Sequence, residues 1–349
     1  FYWNDKFLLS GSYKTIYNKN YRIDFKDFNF YSNKQLLNKS SDILFNENSI
    51  IKWYPVKSLI NNNEYFVPAQ FIFFGLQKEF NEPFIKEVNT SGGAAGSSFE
   101  HAIYRSIMEN IERDSLLIYW LNKIVPKKIE LASVLNPVTL ELIRDYKLKK
   151  IELMAFYFEN EFNIPVIGVL SIALNSYAPK IIFSACADLN IDYALQKAMV
   201  ENIYTGFSME KSFRERKDFN INFLGDRLLW WSEDNRLKDI EWMIEGRKIN
   251  LKIDESQIYS SYRDKLNESS KRIFLTGQDI YYLDISTDIA RKFGLNVVSV
   301  FMPGLYPYYI NESNRYLGVT RVYDLPLKLG KRSIAIKEND LNMTPHPFL

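Results

Sequence analysis

The stretch from residue 89 to residue 114, NTSGGAAGSSFEHAIYRSIMENIERD, places two carboxylates and a guanidinium, Glu109, Glu112 and Arg113, just behind a run almost bare of side chains. In a helix, residues three and four apart are neighbours on one surface, so Glu109 and Glu112 project from adjacent turns. Two neighbouring oxygen donors suit a hard cation such as Mg2+, which keeps several waters and bridges phosphate oxygens. Arg113 brings a planar, bidentate fork that matches a phosphate. The SGGAAG run is expected to be a turn whose backbone N–H groups approach an anion closely and lead into a helix N-terminus, where the dipole favours negative charge. The same spacing serves a plainer end: Glu109 and Arg113 form an i,i+4 pair worth about 0.3–0.5 kcal/mol on a helix surface. Spacing alone leaves both readings open.

These residues need a helix to carry them. Ile103, Ile107, Ile111 and Ile118 recur at spacings of four and seven, which predicts one long helix from Phe99 to Asn122 with a buried stripe. Asn136 followed by Pro137 predicts the cap and first residue of a second helix. Strands are predicted over 65–75, with Pro68 near the start, and from Ile151 and Pro165 onward. A helix over 191–207 follows, then a strand–helix–strand unit over 280–302 with Gly294 as the helix stop. Residues 1–60 show few periodicities and predict short strands or loops. Strands gather between helices without strict βαβ alternation, so the fold class is α+β, with mixed and antiparallel sheets flanked by helices. Nothing marks a linker or a repeat, and one domain over 1–349 is expected.

Composition narrows the function. The chain has 349 residues, 46% hydrophobic and 25% charged, an ordinary globular balance. A formal charge of +2 leaves no electrostatic footprint for nucleic acid or an anionic membrane, so neither is expected as a partner. The basic run Lys147 to Lys150 reads as a solvated helix end. Cys186 is the single cysteine, which rules out an intrachain disulfide and fits a reducing compartment. No apolar run nears the roughly 20 residues of a bilayer span, and no secretory signal opens the sequence, so a cytoplasmic location is expected. With only His101 and His346, a histidine triad or a His-rich zinc site has almost nothing to work with. The familiar phosphate loops are missing too; LGKRS at 329–333 lacks the upstream glycine and adjacent hydroxyl of a P-loop.

Several motifs, taken in order, resemble the YcaO family: WYPVKSL (53–59), VPAQ (67–70), NTSGGAAGSSFEHA, ENIERD with Trp120, and ACADLNIDYALQKAMVEN (185–202). VSVFMPGLYP, RYLGVTR and the terminal TPHPFL resemble its C-terminal region, so the likeness runs from Trp53 to Leu349. The resemblance implies a single YcaO-type domain that binds ATP and Mg2+ and phosphorylates a backbone amide oxygen of a peptide. In the azoline-forming branch, a Cys, Ser or Thr side chain of a ribosomal precursor peptide first adds to the preceding carbonyl, and a thiazoline or oxazoline ring results. On this likeness Glu109 and Glu112 are the Mg2+ ligands. Ser97, Glu109, Glu112, Arg113, Glu201 and Arg321 contact the nucleotide. Arg113 also acts on the transferring phosphoryl group. The tail over 340–349, where Pro345 and Pro347 match a P-x-P-x-P ending and Leu349 replaces its last proline, brings Pro347 and the Leu349 carboxylate toward the reacting centre. Implied partners are the precursor peptide and a separate protein that captures its leader, with a homodimer as an option.

The resemblance is incomplete. Ser97 stands where the family has Asn, His101 where it has Glu, and Tyr204 where it often has Gln three residues after Glu201. A first E-x-x-E-R block, which supplies the rest of the carboxylate cradle, has no counterpart in residues 1–52, and FYWNDKFLLSGSYKTIY resembles the segment that follows it. The sequence is therefore expected to begin just past that block, as a fragment. Three other readings stand beside the azoline-forming one: a catalytically silent scaffold subunit, a YcaO enzyme forming thioamides or amidines, and an unrelated α+β protein with Glu109 and Arg113 on an open convex face.

Overall fold

The computed structural model of the protein describes residues 4–16, 23–37, 45–73, 75–174, 180–212, 224–251 and 259–348. The chain forms two compact units, the first made of Phe1–Asn110, Tyr259–Tyr309 and Ser313–Val322, the second of Ile111–Ile258, Ile310–Glu312 and Tyr323–Leu349.

The first unit is built on a six-stranded sheet of β1 (Leu9–Gly11), β2 (Ile51–Ser58), β3 (Glu64–Pro68), β4 (Gly93–Gly96), β10 (Tyr281–Asp284) and β11 (Asn296–Phe301). Its order is β1-β2-β10-β11-β4 with β3 beside β2, and the pairs are antiparallel. Around it lie short helices α1 (Tyr13–Ile16), α2 (Asn33–Leu37), α3 (Leu76–Glu79) and α10 (Asp288–Lys292), and the longer α9 (Tyr262–Phe274). The residues before β2 lack periodicity, and aromatic contacts hold them instead. Phe28 packs edge-on to Trp53 at 5.8 Å and stacks on Phe301 at 5.9 Å, while the Trp53 indole N–H donates to Gly11 O at 2.9 Å. Such pairs add about 0.5–1.5 kcal/mol beyond their burial.

Two local expectations are corrected here. The strand predicted over 65–75 ends at Pro68, and Ala69–Phe71 turns into a 3-10 helix. Buried Gln70 explains the turn, since its amide accepts from the Ile85 N–H at 3.1 Å and donates to Pro83 O at 3.2 Å. These tertiary bonds outweigh the β propensity of the segment. The SGGAAG run is not an anion-cradling turn either; Gly93–Gly96 is strand β4, paired with β11. Its glycines answer to close packing. A Cβ on Gly92, at φ +84°, would lie 2.4 Å from Val300 O, and one on Gly96 would lie 2.5 Å from Ala102 N. The Gly93 N–H already donates to Thr90 O, and Ala95 O accepts from Arg105 at 3.0 Å.

The second unit carries a five-stranded sheet, ordered β8-β7-β6-β5-β9, from β5 (Lys127–Glu130), β6 (Ile151–Phe158), β7 (Val166–Ala173), β8 (Ile181–Ala187) and β9 (Lys248–Asn250). The β5–β9 pair is parallel and the others antiparallel, so the sheet is mixed. All eight residues of β7 are buried, which explains why its sequence reads as one apolar run rather than an alternation. One core joins the sheet to α5 (Pro137–Leu148) and α6 (Ile191–Ser212) through residues such as Val169, Leu195 and Met199. Asn136 caps α5 as predicted, accepting from Val138 and Thr139 N–H, with Pro137 in the first turn. Helices α7 (Leu224–Trp231) and α8 (Leu237–Ile244) complete the unit. Helix α4 (Phe99–Asn122) passes from the first unit into the second, and α11 (Arg321–Lys328) likewise crosses a boundary. The architecture is α+β with antiparallel and mixed sheets, as the sequence predicts. Among the described residues, no helix is long and apolar enough to cross a membrane.

In the first unit, buried Glu82 accepts from the Lys52 N–H at 2.5 Å and the Gln70 amide at 3.2 Å. Burial pushes its carboxyl from 4.5 up to about 7, against those two bonds and the Lys52 charge. The folded state thus holds this proton more tightly than the unfolded chain does. The group's contribution to stability is complete below about pH 4.5 and is lost as pH rises through about 7. Glu82→Gln is expected to stabilise the chain by about 2 kcal/mol at pH 8 and by little at pH 4.5. Urea unfolding at the two pH values measures this, and an equal effect at both contradicts it.

Candidate functional site

Helix α4 positions the residues from which the chemistry was read. Ser98 opens it, its Oγ accepting from the His101 N–H at 3.1 Å and its carbonyl from Ala102 N–H. Lys123, in the left-handed region at φ +47°, closes it, a conformation typical of a helix end. The predicted stripe is buried, with Ile103, Ile107, Ile111 and Ile118 all at 1% exposure or less. Glu109, Glu112 and Arg113 are each half-buried, which is not the open convex face that the surface-pair reading requires. The unit boundary falls between Asn110 and Ile111. Ser97, Glu109 and Arg321 therefore belong to the first unit, and Glu112, Arg113, Glu201 and Pro347 to the second.

Within the second unit, a carboxylate cluster forms at the end of β8. Glu112 Oε2 accepts the Ala187 N–H at 3.1 Å, tying the helix side chain to the strand. The neighbouring Cys186 acts as an electrostatic reporter. Burial pushes its thiol well up, and Glu112, Asp188 and Glu201 push it further, while Lys197 opposes them. Carboxylates from α4, from the residue after β8 and from α6 thus all raise one thiol, and one lysine opposes them. Lys197 and Glu201 lie one turn apart on α6 and are exposed, which leaves the cluster open to solvent on that side. Asp188 is held by its own bond to the Asn190 N–H at 2.8 Å, and Asn190 in turn caps α6 through the Tyr193 N–H at 3.0 Å.

Sequence reasoning named Glu112 and Glu201 but missed Asp188 and Lys197. Asp188 lies inside the motif 185–202, and its carboxylate also accepts the Asn190 N–H in a turn. Lys197 carried no signal of its own beyond its place four residues before Glu201.

The first-unit candidates are engaged locally. Ser97 donates through its N–H and its hydroxyl to His101 Nδ1 at 3.3 and 3.1 Å. The His101 ring stacks on Tyr262 at 3.6 Å and 10°. Burial holds the His101 pKa down, with Arg105 and Lys265 adding to the effect, so the ring is a neutral imidazole that accepts at Nδ1. Arg321 opens α11 and is half-buried.

The tail is packed rather than frayed. Trp120 Nε1 donates to Thr344 O at 2.8 Å, and Asn342 donates to Leu121 O at 2.7 Å. Pro347 is buried, and Phe348 meets Phe183 of β8 edge-on at 4.9 Å. Leu349 lies outside the described residues.

Magnesium is normally held by one or two carboxylates plus substrate phosphates rather than by an all-protein cage. Glu112, Asp188 and Glu201 offer oxygen donors, and the raised Cys186 thiol is no thiolate competitor at neutral pH. Among the described residues, no three His, Cys, Asp or Glu side chains form a metal-holding group.

A profile of the family described as YcaO cyclodehydratase, ATP- and Mg2+-binding, matches residues 1–306. The chain belongs to the YcaO family. The match starts ahead of Trp53, where the motif resemblance begins, so residues 1–52 share the family pattern although no E-x-x-E-R motif marks them. Among solved structures, a heterocyclase in complex with substrate and cofactor aligns at a TM-score of 0.75 and 21% identity, over 98% of this chain and 45% of its own. YcaO from Methanopyrus kandleri, bound with AMPPCP and Mg2+, aligns at 0.57 and 20% identity, over 76% of this chain and 67% of that one. The E. coli microcin synthetase McbBCD complex aligns at 0.61 and 16% identity, over 84% and 72%. These likenesses confirm the YcaO α+β fold, and the chain spans about half the length of the heterocyclase, 45%.

Because Cys186 registers the cluster's charge, it offers a direct readout. Glu201→Gln removes one negative charge from an exposed position, which lowers the thiol pKa and is expected to speed iodoacetamide labelling at pH 8 by roughly two- to fivefold. Lys197→Ala is expected to slow it. Equal rates in all three proteins would show that these side chains do not face Cys186.

Proposed function

We propose that this YcaO chain is an ATP- and Mg2+-dependent cyclodehydratase that forms thiazoline or oxazoline rings from Cys, Ser or Thr in a ribosomal precursor peptide. The observation that carries the reading is the Glu112 carboxylate held at the end of β8 by the Ala187 N–H, with Asp188 next in the chain. Family membership and the likeness to heterocyclases support it.

The side-chain sulfur or oxygen of the peptide residue gives up its proton to solvent and adds to the preceding carbonyl carbon, the amide oxygen becomes an alkoxide, and the ring nitrogen later loses its own proton to solvent. That oxygen attacks the γ-phosphorus of ATP, the bond to ADP breaks, and phosphate then leaves as the ring C=N forms; the peptide loses one water. Mg2+, held by carboxylates such as Glu112, would supply positive charge that offsets the charge on the phosphates. The chain's own residues do the positioning. Glu112, one of its oxygens fixed by the Ala187 N–H, would lend a carboxylate to the ion, Glu201 would lend a second, and Lys197 would offer a cation to the phosphates. Arg113, adjacent to Glu112, contacts the transferring group, where a preorganised cation is worth most. Ser97, Glu109 and Arg321 enter as nucleotide contacts, and Glu109 as a Mg2+ ligand, on the family resemblance alone, as do Pro347 and Leu349 beside the reacting atoms.

The two units are proposed to act together as one YcaO-type module over 1–349. The precursor peptide and a separate leader-binding protein are its partners, a homodimer is an option, and the setting is cytoplasmic in a bacteriocin-like peptide pathway. One observation favours the silent-scaffold reading instead: His101, which replaces a family carboxylate, is committed to Ser97 and Tyr262.

Phosphate release from ATP by the full chain, with Mg2+ and a Cys-containing peptide, separates the two. Glu112→Gln is expected to cut the rate about 100-fold. Glu130→Gln, which weakens the surface pair with Lys248 on β9, should leave it unchanged. No phosphate release by the wild-type chain, or equal rates in wild type and Glu112→Gln, contradicts the enzyme reading.

A further inference from the structure

Far from the acidic cluster in sequence, the second unit buries a complete guanidinium. Arg227 of α7 is 0% exposed. Its Nη2 donates to Glu312 Oε1 at 2.7 Å and to Ile310 O at 2.5 Å, and its Nη1 meets the ring of His346, also 0% exposed, within hydrogen-bond distance of both Nδ1, at 2.8 Å, and Nε2. Three separate pieces of chain, α7, the 310–312 segment and the C-terminal tail, meet on this one side chain. A buried charge is tolerated only when it is paired and hydrogen-bonded, and removing one partner of such a pair is strongly destabilising. The tail beyond this point is short: Pro347 is buried, and Phe348 stacks on His346 at 5.4 Å and meets Trp120 at 5.8 Å and Phe183 at 4.9 Å.

The donor roles fix the protonation state. Arginine has five N–H donors and no acceptor, so the imidazole must offer a lone pair to it. A neutral ring does so; an imidazolium cannot, and it would also set a second cation against a fully buried guanidinium. Arg227 of α7 faces the ring, and Glu312 pairs with the same guanidinium at 2.7 Å. Upstream, the tail has a second anchor that does not involve Arg227, in the bonds of Asn342 and Thr344 to the end of α4.

We infer that Arg227 is the positioning residue that docks the last residues of the chain, with neutral His346 as its acceptor, so that placing a proton on His346 releases residues 346–348 while the Asn342–Thr344 anchor holds. The contacts of Phe348 with β8 set the docked tail in the same unit as the acidic cluster. What release does to catalysis rests on the azoline-forming reading above; the latch itself does not.

Amide hydrogen exchange on the full chain tests the latch without requiring activity. In the wild type at pH 8, the amides of His346 and Phe348 are expected to be protected. Arg227→Met should raise their exchange at least tenfold, leaving Asn342, Thr344 and strands β6 to β8 unchanged. His346→Gln keeps a neutral acceptor, so it should match the wild type at pH 8. On lowering the pH to 5.5, with intrinsic rates corrected, the wild-type tail should lose protection and the His346→Gln tail should keep it. The proposal is overturned if the tail is unprotected at pH 8, if Arg227→Met has no effect or loosens the whole unit equally, or if wild type and His346→Gln respond to acid alike. In a wild-type chain with a normal latch, failure to bind ATP with Mg2+ would sink the functional reading and leave this one standing.

Discussion

A carboxylate useful for holding a metal-bound phosphate has to be fixed without being neutralised. Glu112 is fixed by spending one oxygen on a backbone N–H, that of Ala187 at 3.1 Å. The bond ties α4 to the end of β8, which is where Asp188 and α6 begin. Everything acidic in this part of the molecule is placed by that junction. Asp188 follows the strand, Asn190 caps the helix, and Lys197 and Glu201 come round on its solvent face within the next turns. The charge pattern is a consequence of where a strand stops and a helix starts.

The rest of the second unit supports this junction from behind. Seven strand residues of β8 are matched to β7, itself buried along its whole length, so the strand end has little freedom. On the other side, Trp120 near the end of α4 lies among Trp231, Trp242 and Phe348, with centroids 5.5 to 5.8 Å away. Aromatic side chains combine large burial with specific edge-to-face geometry, which suits them to fixing a helix and a chain terminus together. The C-terminal tail is thereby part of the core of its unit.

What could be read from the sequence was mostly what is local. The isoleucine stripe of α4, the Asn136–Pro137 start of α5, Gly294 at the end of α10 and the buried run of β7 are each encoded within a few residues of where they act. Gly93–Gly96 was not legible as a strand, because glycine and alanine have low strand propensity and its partner β11 lies some two hundred residues away. The turn at Ala69–Phe71 depends on Gln70 reaching Pro83 and Ile85, again a tertiary effect. At the site, Glu112 and Glu201 were found through family motifs. Asp188 was hidden by its ordinary role in a turn, and the Arg227–His346 contact joins residues 119 apart that no pattern connects.

The account depends on a nucleotide and its divalent ion being held through Glu112. Mn2+ can replace Mg2+ and be followed by the electron paramagnetic resonance signal of the free ion, titrated into the full chain with and without AMPPCP. The prediction is that protein and nucleotide together deplete free Mn2+ beyond what either does alone, to one saturable level, and that Glu112→Gln removes the excess. Depletion that is the same in wild type and Glu112→Gln, or no more than nucleotide alone produces, would contradict it.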